Sequence, residues 1–428
     1  AVATMLRGVS EGAIDSFVRY HWLTGWNHVF LYFDDPEDAG VSHAQALQEH
    51  CATKKMDGVG ITVVLMSDAW WEDARLTSRF YERRAKSDMY ETVCKMHEKY
   101  GDVESRQMIA MDQAIQEAQR MGIDWFAHLD IDECVYVPKL LENSSRRYLG
   151  SQERSVEAVR LYNLEAVPEQ FECQDWFREC TLFQVNKIQC QGFKPPREYD
   201  QLLRKREGRE FEPEKPDPET AWREDLLAKV RAKRQACATR LGLELHGGPK
   251  PAEDKLAESF AGFQAQENGR TIVRLDRHFD PPLPWGAHSF LACNGDMLRE
   301  VVQASRRNDP VVLHYPNAGF AGWKQKYQTL GEIAQAVASR PGVPRLHLAS
   351  SQVVLHRDRK DQEQFYRTFI MQNESSELSF LAEYGLLARI PTVKGILEYY
   401  DNPQEEQQEQ LPGRMEWTDA ASGLKLAR

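Results

Sequence analysis

The chain has 428 residues, 42% of them apolar and 10% aromatic, with a formal net charge of −11. That length allows one large domain or two ordinary ones, with apolar content enough for a core. The negative balance argues against a general nucleic-acid or membrane-surface binder, and no apolar run approaches the roughly 18 residues needed to span a bilayer.

Val2 to Leu6 reads as a first strand. Ser10 is placed to cap a helix whose residues Ile14, Phe17, Val18, His21 and Trp22 follow helical spacing, and Gly25 ends it. A strand over His28 to Phe33 runs into the acidic turn Asp34-Asp35-Pro36-Glu37-Asp38, and a helix follows over Ser42 to Cys51. Gly60 to Met66 is a third strand, and the charged, aromatic stretch Asp68 to Lys99 reads as one or two surface helices. Ser105 to Met121 is a helix with Met108, Met111, Ile115 and Ala118 on one face, closed by Gly122. Strands alternating with helices at this spacing predict an α/β fold with a mostly parallel, doubly wound sheet.

The fourth strand ends abruptly in acids: Trp125-Phe-Ala-His-Leu-Asp130-Ile-Asp132-Glu133. Such a strand is apolar on both faces, and ligands of an open α/β sheet bind beyond its carboxyl edge. Carboxylates placed there need a cation or hydrogen-bond donors. Asp130 and Asp132 suit a hard cation, Mn²⁺ or Mg²⁺, when a substrate phosphate supplies further oxygens. Asp-x-Asp alone is more often a solvated turn; its place after an apolar strand is what raises it above that.

Val156 to Val167 alternates as one strand, and Thr181 to Val185 as another. Residues 193–266 are rich in Lys, Arg, Glu and Pro and read as an insertion carrying an exposed helix over Glu224 to Leu241. Core-like sequence returns at Asn268 to Arg274, Gly286 to Phe290 and Pro310 to Pro316, the last a strand ending in His314. Phe320 to Ser339 reads as a helix broken near Gly331, residues 346–400 as mostly helical, and 401–428 as an unstructured tail. The eight cysteines form no CxxC pair, which disfavours a cysteine zinc site. Cys173, Cys180 and Cys190 are close enough for a local disulfide, and buried free thiols fit equally. Asn143-Ser-Ser and Asn373-Glu-Ser are glycosylation sequons of low specificity. The chain opens at Ala1 directly in a strand-like segment, which fits a fragment that has lost an upstream anchor or signal.

Four pieces, in order, resemble glycosyltransferases of the GT-A fold, of the family-92 or domain-of-unknown-function-23 type and its family-2-like relatives. They are Glu11 to Tyr32; Ser105-Arg106-Gln107 with Trp125 to Glu133; Asn268 to Arg274 with Gly286-Ala-His288; and His314-Tyr-Pro with Trp323-Lys324-Gln-Lys326-Tyr. Ser10 stands where the family often has Asn, and Cys134 where it usually has Phe. The resemblance covers about residues 2–192 and 267–330 and implies a GT-A core over 1–192 and 267–345, outside which lie the insertion and the C-terminal helices.

The resemblance implies transfer of a hexosyl or pentosyl group from a nucleotide diphosphosugar to a hydroxyl of a glycan or glycoconjugate, with inversion. Asp132 would ligate the metal directly, Asp130 through water or by way of the ribose, and His314 as a third ligand. His288 is a rival ligand or an acceptor contact; for either histidine the ordinary alternative is a structural hydrogen bond. Arg106, Glu11 and Asp34 would meet the nucleotide, against the alternatives of a surface ion pair, a helix-start acid and a turn acid. Lys326, with Lys324, would reach the diphosphate, although lysines on helix faces are usually solvated. Inversion needs a carboxylate base, for which Glu165 and Asp175 are candidates, while Glu133 would hold the turn. No nucleic-acid partner is expected, and membrane contact only through a lost anchor; the site of action would be the Golgi or secretory lumen with such an anchor, and the cytoplasm without one. A haloacid-dehalogenase-like phosphotransferase shares Asp-x-Asp but normally carries Thr or Val where Cys134 stands, and carries the motif near its first strand. A catalytically inactive GT-A-like protein that binds glycans or partners is the remaining alternative.

Overall fold

The computed structural model describes residues 1–54, 58–186, 218–243, 269–306, 308–337, 345–372 and 386–401, with the short stretches 378–379, 382, 416–418 and 425–426. β1 (Val2–Leu6) leads into α1 (Glu11–Leu23), and β2 (His28–Phe33) into α2 (Val41–Lys54). β3 (Gly60–Leu65) leads into α3 (Asp68–Thr77), α4 (Arg79–Glu82), α5 (Asp88–Tyr100) and α6 (Val103–Arg120). The strands β4 (Trp125–His128), β5 (Glu133–Tyr136), β6 (Ala158–Leu161), β7 (Asn163–Ala166) and β8 (Leu182–Gln184) follow. Next come β9 (Arg270–Arg274), β10 (Leu283–Trp285), β11 (Ser289–Leu291), β12 (Val301–Ala304) and β13 (Val311–His314). β14 (Leu387–Arg389), β15 (Glu416–Thr418) and β16 (Lys425–Leu426) close the series.

The protein is α/β and Rossmann-like. The main sheet has the order β12-β6-β9-β4-β1-β2-β3. Its neighbours are parallel except at β9, which runs antiparallel to both β4 and β6. Every residue of β1, β2 and β4 is buried, as a parallel strand covered on both faces requires. Each buried Val, Leu or Phe there contributes roughly 1.5–3 kcal/mol of transfer free energy. α1 starts where the Ser10 hydroxyl accepts from the Ala13 amide, and it buries Ile14, Phe17 and Val18. α6 is capped by Asp102, buries Met108, Met111, Ile115 and Ala118, and is followed by Gly122 at φ 76°. The chain builds β2 and β3 on one side of β1 and β4 on the other. That reversal of strand order places the crevice at the carboxyl ends of β1 and β4.

A second sheet, β16-β15-β14-β8-β7-β13-β5, packs its own strands beside the first. Short connections between the sheets include the acidic turn between β4 and β5, Tyr162 between β6 and β7, and the link from β12 to β13. The single strand expected over Val156 to Val167 is thus two strands in different sheets. The chain steps across at Tyr162, and an alternating pattern does not reveal that step, because both halves keep their period of two.

The helix in the insertion runs Pro218–Leu241, earlier than expected, and it is not simply exposed. Val230, Arg234, Cys237, Ala238 and Leu241 form a buried stripe. Its lower half packs with the helices Phe320–Val337, Arg345–His356 and Arg359–Phe365 in a second apolar core containing Trp323, Tyr327, Phe365 and Tyr366. The helix Phe320–Val337 continues through Gly331 without a break. β15 and β16 fall in the expected tail, whose other residues after Asp401 lie outside the described residues, as does most of 193–266. No helix among the described residues is long and apolar enough to cross a membrane.

Candidate functional site

The carboxyl ends of β1, β2 and β4 each deliver charge to the crevice. After β1 comes Arg7, after β2 Asp34 and Asp35, after β4 the acidic turn. The turn is tight: the Glu133 amide donates to the Asp130 carbonyl at 3.0 Å, and the Asp130 amide donates to Glu133 Oε2 at 3.0 Å.

Two cationic side chains close on this turn. Arg270, the first residue of β9, is fully buried. Its Nε donates to Glu133 Oε2 at 2.6 Å, and its other nitrogens donate to Asp130 Oδ2 and the Ala287 carbonyl. Gln107, on α6, donates to Asp130 Oδ1 at 3.1 Å. Lys326, on the helix Phe320–Val337, donates to Asp132 Oδ2 at 3.1 Å and to the Pro316 carbonyl at 3.0 Å. Burial opposes charge at all of these groups. Arg270 and the nearby histidines nonetheless hold Asp130 well below the usual carboxylate range. Lys326 and His314 likewise lower Asp132, and Asp132 raises Lys326. Glu133 goes the other way: burial and the two aspartates push it up to about 8, against the pull of Arg270.

His314 ends β13, where it lies in register between Glu133 on β5 and Glu165 on β7. Its Nε2 stands 3.9 Å from Asp132 Oδ1, and its Nδ1 stands 3.9 Å from Glu165 Oε1. Both gaps exceed a hydrogen bond, and Nδ1 is buried without a partner. Burial lowers the ring's pKa to about 4, so it is neutral at pH 7 and able to ligate a cation. His288 is anchored by Nδ1 on the Gly269 carbonyl at 3.0 Å, and burial followed by Arg270 lowers it to about 4. Among the described residues, no group of three or more His, Cys, Asp and Glu side chains is arranged to hold a metal ion. The donor pair Asp132 Oδ1 and His314 Nε2 does fit a hard divalent cation that takes its other ligands from phosphate and water. Asp130, bonded to Arg270 and Gln107, is less available for that task.

At the neighbouring strand ends, Arg106 forms an ion pair with Asp34 at 3.0 Å, and Arg7 lies 3.7 Å from the same carboxylate. The Asp34 side chain is 5% exposed, and burial raises its pKa against the pull of Arg106 and Arg7. Asp34 Oδ1 and Arg106 Nε are both buried without a hydrogen-bond partner. Such buried polar atoms call for a partner that the neighbouring side chains do not supply, which water or a polar ligand can provide.

The structure therefore brings Asp130, Asp132, His314, Lys326 and Glu165 together, and Asp34 with Arg106. Glu11 is exposed at the first position of α1. Asp175 caps the short helix Trp176–Glu179, accepts from Ser16 at 2.5 Å and pairs with Arg178, so its bonds run away from the acidic turn. Arg270 and Gln107 lie inside the quoted motifs but carried no sequence signal of their own. A buried arginine opposite an acidic strand end becomes visible only once β9 is placed antiparallel to β4.

No family model matches the chain. It is 31% identical over 116 residues to Glycosyltransferase-like At3g57200 of Arabidopsis thaliana, a match that spans 27% of this chain and 20% of that protein. It is 33% identical over 81 residues to Glycosyltransferase-like At2g41451 of the same plant, 19% of this chain and 18% of that protein. The chain thus spans about a fifth of the curated relatives it matches, and these similarities support a relationship to glycosyltransferases.

Proposed function

We propose that the chain is a glycosyltransferase with a GT-A-type core that moves a sugar from a nucleotide diphosphosugar to an acceptor hydroxyl. The observation that carries this reading is the acidic turn at the strand-order reversal, with the orphaned polar atoms of Asp34 at the end of β2 and of Arg106 on α6. Asp34 and Arg106 would bind the nucleoside through the bonds they lack. Asp132 and His314 would hold Mn²⁺ or Mg²⁺. The cation, when bound, offsets the charge that develops on the departing nucleoside diphosphate. Lys326, one bond away from Asp132, would turn to the diphosphate as a second cation. Arg270 and Gln107 would keep Asp130 fixed for the ribose.

Glu165 faces the unpartnered Nδ1 of His314. That arrangement suits a carboxylate that orients a ligating histidine better than one that deprotonates an acceptor. Glu165 remains the nearer of the two carboxylates to the acidic turn's groups, and inversion requires a base near the acceptor hydroxyl. One observation favours the alternative of an inactive glycan- or partner-binding protein: both aspartates already have cationic partners.

Calorimetric titration of UDP and GDP, with and without Mn²⁺, separates the two. Metal-dependent binding that is lost in Asp132→Ala is expected, and the nucleotide that binds identifies the base of the donor. A folded wild-type chain that binds neither nucleotide would favour the inactive reading.

A further inference from the structure

Cys173 and Cys180 flank a segment that folds back on itself. Glu179 Oε1 accepts from both the Gln174 amide at 2.8 Å and the Asp175 amide at 2.7 Å. The Cys180 amide in turn donates to the Trp176 carbonyl at 3.0 Å. The residues just outside these bonds are the two cysteines, so the chain closure brings their side chains together. Both are free thiols of intermediate burial, and both line one shallow cleft with Val167, Glu169 and Gly319. The Cys173 thiol is pushed far up, first by its hydrogen bond with Cys180 and then by burial. Elsewhere among the described residues, Cys51, Cys94, Cys134 and Cys237 are buried.

We propose that Cys173 and Cys180 are an oxidisable dithiol that closes to a disulfide by exchange with an external disulfide of the glutathione type. One cysteine thiolate attacks the external disulfide and expels a thiolate. The second cysteine, deprotonated, attacks the mixed disulfide and expels the other. The cysteines lose two electrons and two protons, and the external disulfide becomes two thiols.

The position gives the bond a consequence. Gly319 sits at φ 80°, and a Cβ there would lie 2.8 Å from the Cβ of Cys173. Next to it, the Phe320 amide donates to the Phe171 carbonyl at 2.8 Å. The dithiol loop therefore braces the start of the helix that carries Lys326, and closing the ring stiffens that brace. This inference stands whether or not the chain transfers sugars.

The test uses the full chain incubated with oxidised glutathione, acid-quenched, denatured, alkylated and digested with trypsin without reduction. Arg178 lies between the cysteines, so the disulfide links the peptides Leu161–Arg178 and Glu179–Lys187. That linked pair is expected as the dominant form, lost on reduction, with the melting temperature raised by roughly a few degrees. In Cys180→Ser the exchange should stop at a glutathione adduct on Cys173, with no rise in melting temperature. Recovery of both cysteines alkylated, of either one joined to Cys190 (peptide Ile188–Arg197), or of stable glutathione adducts in the wild type would overturn the proposal.

Discussion

Arg270 reaches Asp130 from the neighbouring antiparallel strand, so the first aspartate of the acidic turn carries a built-in counter-ion. The arginine side chain is wholly buried and also bonds Glu133 at 2.6 Å. Its removal would strip the buried Glu133 of its cation and leave the partly exposed Asp130 with Gln107 alone, and breaking a buried ion pair typically costs about 3–5 kcal/mol. Arg270→Gln is therefore expected to unfold at markedly lower urea, and Arg270→Lys to recover only part of the loss, because an ammonium cannot serve Asp130, Glu133 and the Ala287 carbonyl together. An unfolding midpoint for Arg270→Gln close to wild type would show that the ion pair is dispensable.

Gly269 makes that placement possible. It sits at φ 64°, and a Cβ added there would clash with the Leu161 carbonyl oxygen. Its amide also donates to Asn163 Oδ1 at 3.2 Å. Gly269→Ala combines a left-handed backbone with a backbone clash, so a loss of roughly 2–4 kcal/mol is expected. Thermal unfolding of Gly269→Ala against Gly322→Ala, where a Cβ meets open space, isolates the effect.

Much of this arrangement was legible in the sequence, and the exceptions have physical causes. The strand ends were readable because a buried parallel strand is an unbroken apolar run, and Asp130 and Asp132 interrupt one abruptly. Asp34 and Arg106 were readable as separate candidates, but nothing in a linear chain says that the end of β2 and the start of α6 meet. The step at Tyr162 was hidden because β6 and β7 keep one alternating pattern across two sheets. Arg270 was hidden because its role depends on the antiparallel insertion of β9, which no local propensity encodes. The buried stripe of the helix Pro218–Leu241 was diluted by the charged residues on its other faces.

The pair Asp34 and Arg106 makes a prediction about which part of a nucleotide each group serves. Asp34→Asn and Arg106→Met should each weaken a nucleoside and its diphosphate by a similar factor, on the order of tenfold. Neither loss should depend on Mn²⁺. Calorimetry with nucleoside, monophosphate and diphosphate would show it, and a loss confined to the diphosphate would move these residues to the phosphates.

Lys326 should give the opposite pattern. Lys326→Met removes a cation 3.1 Å from Asp132 and leaves the helix intact. Diphosphate affinity should fall about tenfold or more, while nucleoside affinity stays near wild type. An equal fall for both would mean that Lys326 supports the fold of the crevice and does not meet the phosphates.

The last prediction concerns acid stability. His21 is fully buried, its Nδ1 lies 2.7 Å from the Phe17 carbonyl, and its Nε2 has no partner. A carbonyl only accepts, so Nδ1 carries the proton and the ring is neutral. Burial lowers its pKa to about 4 from the usual 6.5. Below pH 6.5 the unfolded chain therefore binds a proton that the folded chain refuses. The stability contributed by the neutral ring is present above pH 6.5 and is lost progressively down to pH 4, by roughly 3 kcal/mol at full expression. His21→Asn keeps a donor for Phe17 and cannot take up that proton. It should be less stable than wild type at pH 7, because the ring's packing on Phe17 at 4.3 Å is gone, yet lose less stability between pH 7 and pH 4.5. Urea midpoints at both pH values measure the difference, and parallel losses in the two proteins would show that His21 is not a source of the acid sensitivity.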